Sequence, residues 1–302
     1  MSAHHSSPVQ LEPAPGWFVR AIASVPRIGF HHVCGARIRT LEWGDRGDRP
    51  VVLVHGGAAN AHWFDHVAPL LAHGRHVLAL DLSGHGESDR REEYRRDLWV
   101  EEVVEIALGA GAAPIVVGHS MGGLVALEAA GTHGEELGGV IVADSPLRPR
   151  RTRHGPARNH NRLPRVYSSE TEILARFRPD PSDGPIAPYL HAHVARRSIR
   201  AVPGGFSWQF DPRFGMGGGM ALDEVTTAAC RVAFVRGERG MLDPGVMDLL
   251  ARRLGQDTIC TTVADCGHHL MLDRPLAFVA TVDEILRSWQ DCPAPRHSQE
   301  QP

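Results

Sequence analysis

Six short runs of apolar residues recur along the chain, and helical segments separate most of them. The runs are nearly continuous Val, Leu, Ile and Ala, which is typical of strands buried on both faces of a parallel sheet. They lie at Val51–His55, His76–Leu82, Pro114–Gly118, Gly139–Ala143, Arg231–Arg236 and Thr258–Val263. The alternation predicts an α/β fold with a mostly parallel central sheet flanked by helices.

The segments between these runs carry helical periodicity. In the last segment, apolar residues recur every three or four positions, and Pro275 suits its first turn. Helices are predicted over about 61–72, 95–109, 121–133, 244–254 and 275–290. Ahead of the first run, two short stretches flank Gly35 within Gly29–Trp43 and predict an antiparallel start to the sheet.

One long segment, 147–220, breaks the rhythm and predicts a lid. It is rich in Pro, Gly and Arg, and it contains two short amphipathic stretches around 170–178 and 188–200. Because it is too long for a plain connection, we expect it to cover the carboxyl ends of the strands, where open α/β sheets bind ligands. The predicted organisation is a core over 16–146 and 221–291, the lid over 147–220, and flexible tails over 1–15 and 292–302.

Composition narrows the possible classes of partner. The 302 residues include 32 basic and 35 acidic side chains, so no overall field indicates a nucleic-acid or membrane-surface binder. No apolar run approaches the roughly 18–20 residues that span a bilayer, and the first residues lack the pattern of a secretory signal. The five scattered Cys residues show no metal-type spacing, which favours a reducing, cytoplasmic location. The oligomeric state stays open.

The strongest chemical motif is Gly118-His119-Ser120-Met121-Gly122, which matches G-x-S-x-G between a strand and a helix. Glycines are needed there because the serine occupies a strained turn, where neighbouring Cβ atoms would clash with the adjacent strand and helix. The turn is expected to expose the Ser120 hydroxyl above the sheet and to aim the N-terminus of the helix at developing negative charge.

Three further segments accompany this turn in a fixed order. His55-Gly56-Gly57 follows one predicted strand, Asp81-Leu82-Ser83-Gly84-His85-Gly86-Glu87-Ser88 follows the next, and Gly267-His268 follows the last. On these four segments the chain resembles the α/β-hydrolase family over about residues 28–290. The resemblance implies the α/β-hydrolase fold with a small helical lid, and it gives the stretch 81–88 a structural rather than catalytic role.

The resemblance also implies roles for individual residues. Ser120 would be the nucleophile, and His268 would be the general base because the family places that base directly after a glycine; His269 is the less favoured neighbour. The backbone N–H groups of Gly57 and Met121 would form the oxyanion hole, in which each donor can be worth about 3 kcal/mol in the transition state.

The triad acid departs from the common family pattern. Most relatives carry it in a Gly-x-x-Asp turn, but here that turn reads Gly237-Glu238-Arg239-Gly240. Asp144 ends the run Gly139–Ala143, where some members of the family carry the acid instead. Asp243 is the alternative, although its Leu-Asp-Pro context also suits a helix cap. We therefore favour Asp144 as the acid.

Substrate-binding residues are harder to assign. Trp63 either lines the acyl pocket or packs in the core, and His119 either packs beside the site or tunes the pocket. The lid has a dense basic stretch that is either a solvated face or a site for a carboxylate or phosphate of an anionic substrate: Arg148, Arg150, Arg151, Arg153, Arg158, Arg162 and Arg165. An aromatic band is either pocket lining or lid core: Phe206, Trp208, Phe210 and Phe214.

The function that these residues favour is a serine hydrolase that cleaves a carboxylic ester of a small molecule through an acyl-enzyme intermediate, with neither metal nor organic cofactor. Amide, lactone and carbon–carbon bond hydrolysis stay open because the triad chemistry is shared. Epoxide hydrolysis and dehalogenation are disfavoured, since those relatives need a carboxylate where Ser120 stands. Further alternatives are a cofactor-free haloperoxidase or perhydrolase, and a catalytically weak ligand receptor.

Overall fold

Eight strands form the central sheet of the computed structural model, which describes residues 13–149, 163–215, 219–255 and 257–291. Their order across the sheet is β1-β2-β4-β3-β5-β6-β11-β12, antiparallel at β1/β2 and β2/β4 and parallel elsewhere. In chain order the strands are β1 (Arg27–Val33), β2 (Ala36–Trp43), β3 (Arg49–Val54), β4 (Arg75–Leu80), β5 (Ile115–His119), β6 (Gly139–Ala143), β7 (Leu147–Arg148), β8 (Ile199–Val202), β9 (Gly205–Trp208), β10 (Met220–Ala221), β11 (Val232–Gly237) and β12 (Ile259–Val263). The mostly parallel sheet and its antiparallel start are confirmed.

Helices cover both faces of this sheet. They are α1 (Gly16–Ala23), α2 (Ala68–Leu71), α3 (Arg96–Ala110), α4 (Met121–Thr132), α5 (Glu170–Leu174), α6 (Pro188–Arg197), α7 (Pro244–Leu254), α8 (Leu270–Asp273) and α9 (Pro275–Asp291). Four of the five predicted helices form close to their expected bounds. The prediction over 61–72 is wrong as one helix, because a 3₁₀ turn at Ala61–Phe64 precedes the short α2.

The core lies in two apolar layers, one on each side of the sheet. Side chains of α3, α4 and α7 pack on one face, and those of α1, α2, α8 and α9 pack on the other. Strands β3, β4, β5 and β6 are buried almost throughout, which explains their uninterrupted apolar sequences. No helix in the described ranges is both long and apolar enough to span a bilayer.

The inserted segment begins and ends on paired strands, since β7 and β10 run parallel to each other. Its described part contains α5, α6 and the β8–β9 hairpin. The insertion is fastened to the core at Asp65, whose carboxylate accepts hydrogen bonds from His62 Nδ1 at 3.0 Å and from His193 Nε2 of α6 at 2.9 Å. Burial acts to raise the pKa of Asp65, but the bonds from His193 and His62 outweigh it and lower the pKa to about 2.

Candidate active site

Ser120 sits in a strained turn between β5 and α4. Its φ of 53° and ψ of −115° are unusual for a residue with a side chain. A Cβ atom at Gly118 would lie 2.2 Å from the carbonyl oxygen of Gly122, and one at Gly122 would lie 2.4 Å from that of Val54. Both glycines are therefore required by the close approach of α4 to the ends of β3 and β5.

The Ser120 side chain meets an imidazole from the far end of the chain. His268, in the loop between β12 and α8, has its Nε2 atom 3.0 Å from Ser120 Oγ and its Nδ1 atom 2.7 Å from Asp144 Oδ2. An ionised carboxylate only accepts hydrogen bonds, so the network assigns the proton to Nδ1. Nε2 is then left to accept from the serine hydroxyl.

The acid of this relay lies at the carboxyl end of β6, as favoured from the sequence. Asp144 also accepts backbone N–H bonds from the turn after β11, from Gly237 at 3.2 Å, Met241 at 2.6 Å and Leu242 at 3.4 Å. A Cβ atom at Gly240 would lie 2.1 Å from Asp144 Oδ1. The turn that carries the acid in most relatives here forms a cradle for Asp144 and has no room for a side chain.

Asp243, the alternative acid, has a different local partner. Its Oδ1 atom accepts a 3.1 Å bond from the backbone N–H of Val246 and caps the N-terminus of α7. This is the usual function of an Asp at that position. The structure therefore brings Asp144, and not Asp243, to His268.

The loop His55-Gly56-Gly57 packs directly against the strained turn. A Cβ atom at Gly56 would lie 3.1 Å from Ser120 Cβ. His55 holds the loop in place, since its Nδ1–H donates to the Gly56 carbonyl at 2.7 Å and its Nε2 accepts from the Leu82 N–H at 3.1 Å. Gly57 is half-buried, and Met121 is the first residue of α4. Gly57 directly follows Gly56 in the chain, and Met121 directly follows Ser120.

A sequence profile of the alpha/beta hydrolase family matches residues 51–282, more than half of the chain. The chain belongs to the alpha/beta hydrolase family. It is a hydrolase, and the fold expected from its four motif segments is confirmed.

Individual proteins are similar to this alpha/beta hydrolase over most of its length. Esterase Rv0045c of Mycobacterium tuberculosis is 29% identical over 267 residues, covering 82% of this chain and 86% of that protein. A serine hydrolase-like protein of Danio rerio is 24% identical over 284 residues, covering 83% of this chain and 85% of its own length. The solved thioesterase domain from the curacin biosynthetic pathway has the same fold, with a TM-score of 0.71 and 19% identity over 85% of this chain and 99% of that domain.

The site of this alpha/beta hydrolase is closed. Ser120 is 4% exposed and His268 is 2% exposed, so the expectation of an exposed serine hydroxyl is wrong for this conformation. Such exclusion of water strengthens every polar interaction inside a site.

His119 and Trp63 both contact the histidine loop. His119 Nε2–H donates to the His268 carbonyl at 3.0 Å, and burial lowers the pKa of His119 well below its usual range. Trp63 is buried in the core, with its ring 5.5 Å from that of His269, and its Nε1–H donates to Ser198 Oγ at 3.1 Å. Each of the two supports the loop from a different side.

Three imidazoles could in principle bind a metal, because ligating atoms of His119, His268 and His269 lie within 4.8 Å of one another. Two of the three are already engaged by Asp144, Ser120 and the His268 carbonyl. Burial lowers the pKa of His269 to about 3, which keeps its ring neutral. A cation bound by all three rings would have to break the relay, so the donor set suits proton transfer better than metal binding.

The lid residues singled out from the sequence separate into groups. Arg148 and Arg165 are exposed, and the Arg165 guanidinium lies 4.9 Å from the Tyr167 ring centroid. The other five arginines lie outside the described residues. In the aromatic band, Phe210 and Phe214 pack on the core, Phe206 packs within the inserted segment, and Trp208 contacts both.

Two aspartates beside the histidine loop were missed by the sequence analysis. Asp183 of the inserted segment accepts a hydrogen bond from the His268 N–H, and Asp273 of α8 accepts one from the Gly267 N–H, each at 3.0 Å. Neither lies in a recognisable motif. Asp183 binds a backbone N–H that is 85 positions away, and Asp273 binds one across a turn, six positions away. Only the folded arrangement reveals them.

Proposed function

We propose that this alpha/beta hydrolase cleaves a carboxylic ester of a small molecule through an acyl-enzyme on Ser120. The observation that carries the proposal is the unbroken hydrogen-bonded relay from Ser120 through His268 to Asp144. Its geometry, with Oγ to Nε2 at 3.0 Å, lies within the range for a nucleophile and its base. The similarity to an esterase favours the ester as substrate.

In the first half of the reaction, Ser120 Oγ attacks the acyl carbon while His268 Nε2 takes its proton. The Nδ1–H bond to Asp144 holds the ring in the required tautomer and stabilises the imidazolium that forms. The oxyanion would be bound by the backbone N–H groups of Gly57 and Met121, at the N-terminus of α4. His268 then protonates the leaving alcohol, and the acyl group stays on Ser120.

In the second half, a water molecule attacks the acyl-enzyme with His268 again as the general base, which releases the acid and restores the serine. Trp63 and His119 would bound the acyl group, since both lie next to the histidine loop. We also propose a cytoplasmic location, which is supported by the free thiols of Cys34, Cys230, Cys260 and Cys266. Cell fractionation with an antibody tests that location.

The experiment is a panel of p-nitrophenyl esters, with short, long and anionic acyl groups, and matched amide and lactone substrates. Wild type is compared with Ser120→Ala and with Ser145→Ala. Ser145 is a suitable control because its hydroxyl is also buried and makes no hydrogen bond within the described residues. We expect ester turnover that falls by at least about 10³-fold in Ser120→Ala and persists in Ser145→Ala.

Other outcomes separate the alternatives. Preferential turnover of an amide or a lactone would move the substrate class while keeping the mechanism. Binding without turnover, equal in wild type and Ser120→Ala, would favour the ligand receptor and overturn the proposal. Turnover that survives in Ser120→Ala would also overturn it.

A further inference from the structure

The backbone of His268 is held on both sides by groups outside the relay. Its carbonyl accepts the Nε2–H of His119 at 3.0 Å, and its N–H donates to Asp183 Oδ1 at 3.0 Å. Two hydrogen bonds to the backbone and two to the ring thus fix the same residue. Of these four partners, only Asp183 belongs to the lid.

Asp183 reaches this position because a short lid segment, residues 180–184, interlocks with the histidine loop. A Cβ atom at Gly267 would lie 2.4 Å from Asp183 Oδ1. From the other side, a Cβ atom at Gly184 would lie 1.9 Å from Asp273 Oδ2. Each glycine leaves room for a carboxylate of the opposite segment. Any movement that separates the two segments therefore breaks both contacts at once.

The charges support the same arrangement. Burial, together with the negative charge of the nearby Asp183, raises the pKa of Asp273 to about 6. The cost of burying the Asp273 carboxylate next to Asp183 is offset by hydrogen bonds that the two acids accept from the N–H groups of Gly267 and His268. Burial lowers the pKa of His269 to about 3, so its neutral ring adds no positive charge to this contact.

We propose that Asp183 is a positioning residue for His268, so that the relay is correctly formed only when the lid segment 180–184 is seated on the histidine loop. The inference rests on the proposed function of that relay. If so, His268 becomes correctly aligned only when segment 180–184 contacts the histidine loop. A lid displaced by substrate entry would leave His268 misaligned until the segment returns.

The test compares variants that break the contact in different ways. Asp183→Ala removes the acceptor, whereas Asp183→Asn keeps an oxygen for the His268 N–H without the charge. Gly184→Ala leaves Asp183 intact but pushes the segment away from Asp273. Ser182→Ala is the matched control, because Ser182 is exposed and its Oγ donates to the Pro179 carbonyl within the same inserted segment.

We expect kcat of Asp183→Ala and Gly184→Ala to fall on the order of 10- to 100-fold, because small misplacements of a catalytic group are costly. KM should change little, Asp183→Asn should recover most of kcat, and Ser182→Ala should match wild type. A general loss of structure would instead lower the melting temperature without rescue by Asn. If Asp183→Ala fails to fold, Gly184→Ala decides by the same criterion.

A readout independent of turnover separates this inference from the proposed function. The downfield NMR signal of the His268 Nδ1 proton, bonded to Asp144, should weaken or exchange faster in Asp183→Ala than in Ser182→Ala. An unchanged signal with unchanged kcat in both Asp183→Ala and Gly184→Ala would overturn the positioning role. Absence of Ser120-dependent turnover in wild type would reject the proposed function, and the NMR comparison would still decide the role of Asp183.

Discussion

The Nδ1 atom of His268 lies 2.7 Å from the Oδ2 atom of Asp144, although 124 positions of sequence separate the two residues. Asp144 follows β6, and the turn that cradles it follows β11, which is the neighbouring strand in the sheet. The acid therefore follows one strand, and backbone N–H groups at the end of the neighbouring strand and in the turn after it donate hydrogen bonds to its carboxylate. This arrangement leads directly to predictions about both positions.

Replacing Asp144 by Asn should lower kcat by up to about 10⁴-fold, because an amide no longer holds the productive tautomer of His268. Asp243→Ala should leave kcat near wild type and lower the free energy of unfolding by about 0.5–2 kcal/mol through the lost helix cap. Steady-state kinetics and urea denaturation measure the two effects. A loss of kcat in Asp243→Ala equal to that of Asp144→Asn would contradict the assignment.

Gly240 should tolerate no side chain while Asp144 is present. Gly240→Ala places a Cβ atom 2.1 Å from Asp144 Oδ1, so we expect kcat to fall by about 10²-fold or more. The double variant Asp144→Ala, Gly240→Asp moves the acid to the position that most relatives use, and it should regain about tenfold of the kcat lost in Asp144→Ala. If the double variant folds but kcat does not recover, a carboxylate at position 240 cannot replace the one at position 144.

The free energy of unfolding should depend on pH through Asp273. Its pKa is raised from 3.8 to about 6 in the folded protein, so the folded state holds a proton that the unfolded state has released. This group's contribution to stability is therefore lost as the pH rises from about 4 to about 6. Asp273→Asn cannot ionise, and its free energy of unfolding relative to wild type should increase by about 1–3 kcal/mol across that window.

Urea titrations of both proteins at several pH values between about 4 and 7 provide the measurement, and the titration at the lowest pH serves as the internal reference. A constant difference between the two proteins would mean that Asp273 titrates normally. If the stability of Asp273→Asn relative to wild type instead falls as the pH rises, the pKa of Asp273 is lowered in the folded protein, contrary to the prediction.

The buried contact between Asp65 and the lid should stabilise the protein more than a surface ion pair does. In Asp65→Asn, an uncharged amide replaces the carboxylate that accepts hydrogen bonds from His62 and His193. We expect the free energy of unfolding to fall by about 3 kcal/mol. Asp97→Asn breaks the exposed pair with Arg95 and should cost less than about 1 kcal/mol. Equal losses in urea denaturation would contradict the importance of the buried contact.

Local patterns were sufficient for most of the fold and for two members of the relay. Buried parallel strands produce continuous apolar runs, and the close approach of α4 to β3 and β5 demands glycines at fixed spacing, so Ser120 was recognisable from its neighbours. His268 was identified through the family resemblance, which places the base directly after a glycine that follows the last strand. The residues that form the sharp turn at Ser120 are also among those that carry the family resemblance.

Other features depend on contacts that no local pattern encodes. The sequence predicts one helix over 61–72, but His62 and Asp65 within it are buried and bonded to the distant Arg39 and His193, and a 3₁₀ turn forms there instead. Asp144 was favoured, but the steric reason, the missing Cβ of Gly240, required coordinates. Asp183 was missed because a carboxylate that binds a backbone N–H 85 positions away leaves no signal in the sequence.

The central claim is that Ser120 forms a covalent acyl-enzyme with help from His268. The most direct measurement is peptide mass spectrometry of the protein after reaction with a fluorophosphonate, which traps an activated serine. We expect one adduct, located on Ser120, that forms rapidly in wild type and at least about 10³-fold more slowly in His268→Gln. An adduct on another serine, or labelling of Ser120 at the same rate in His268→Gln, would contradict it.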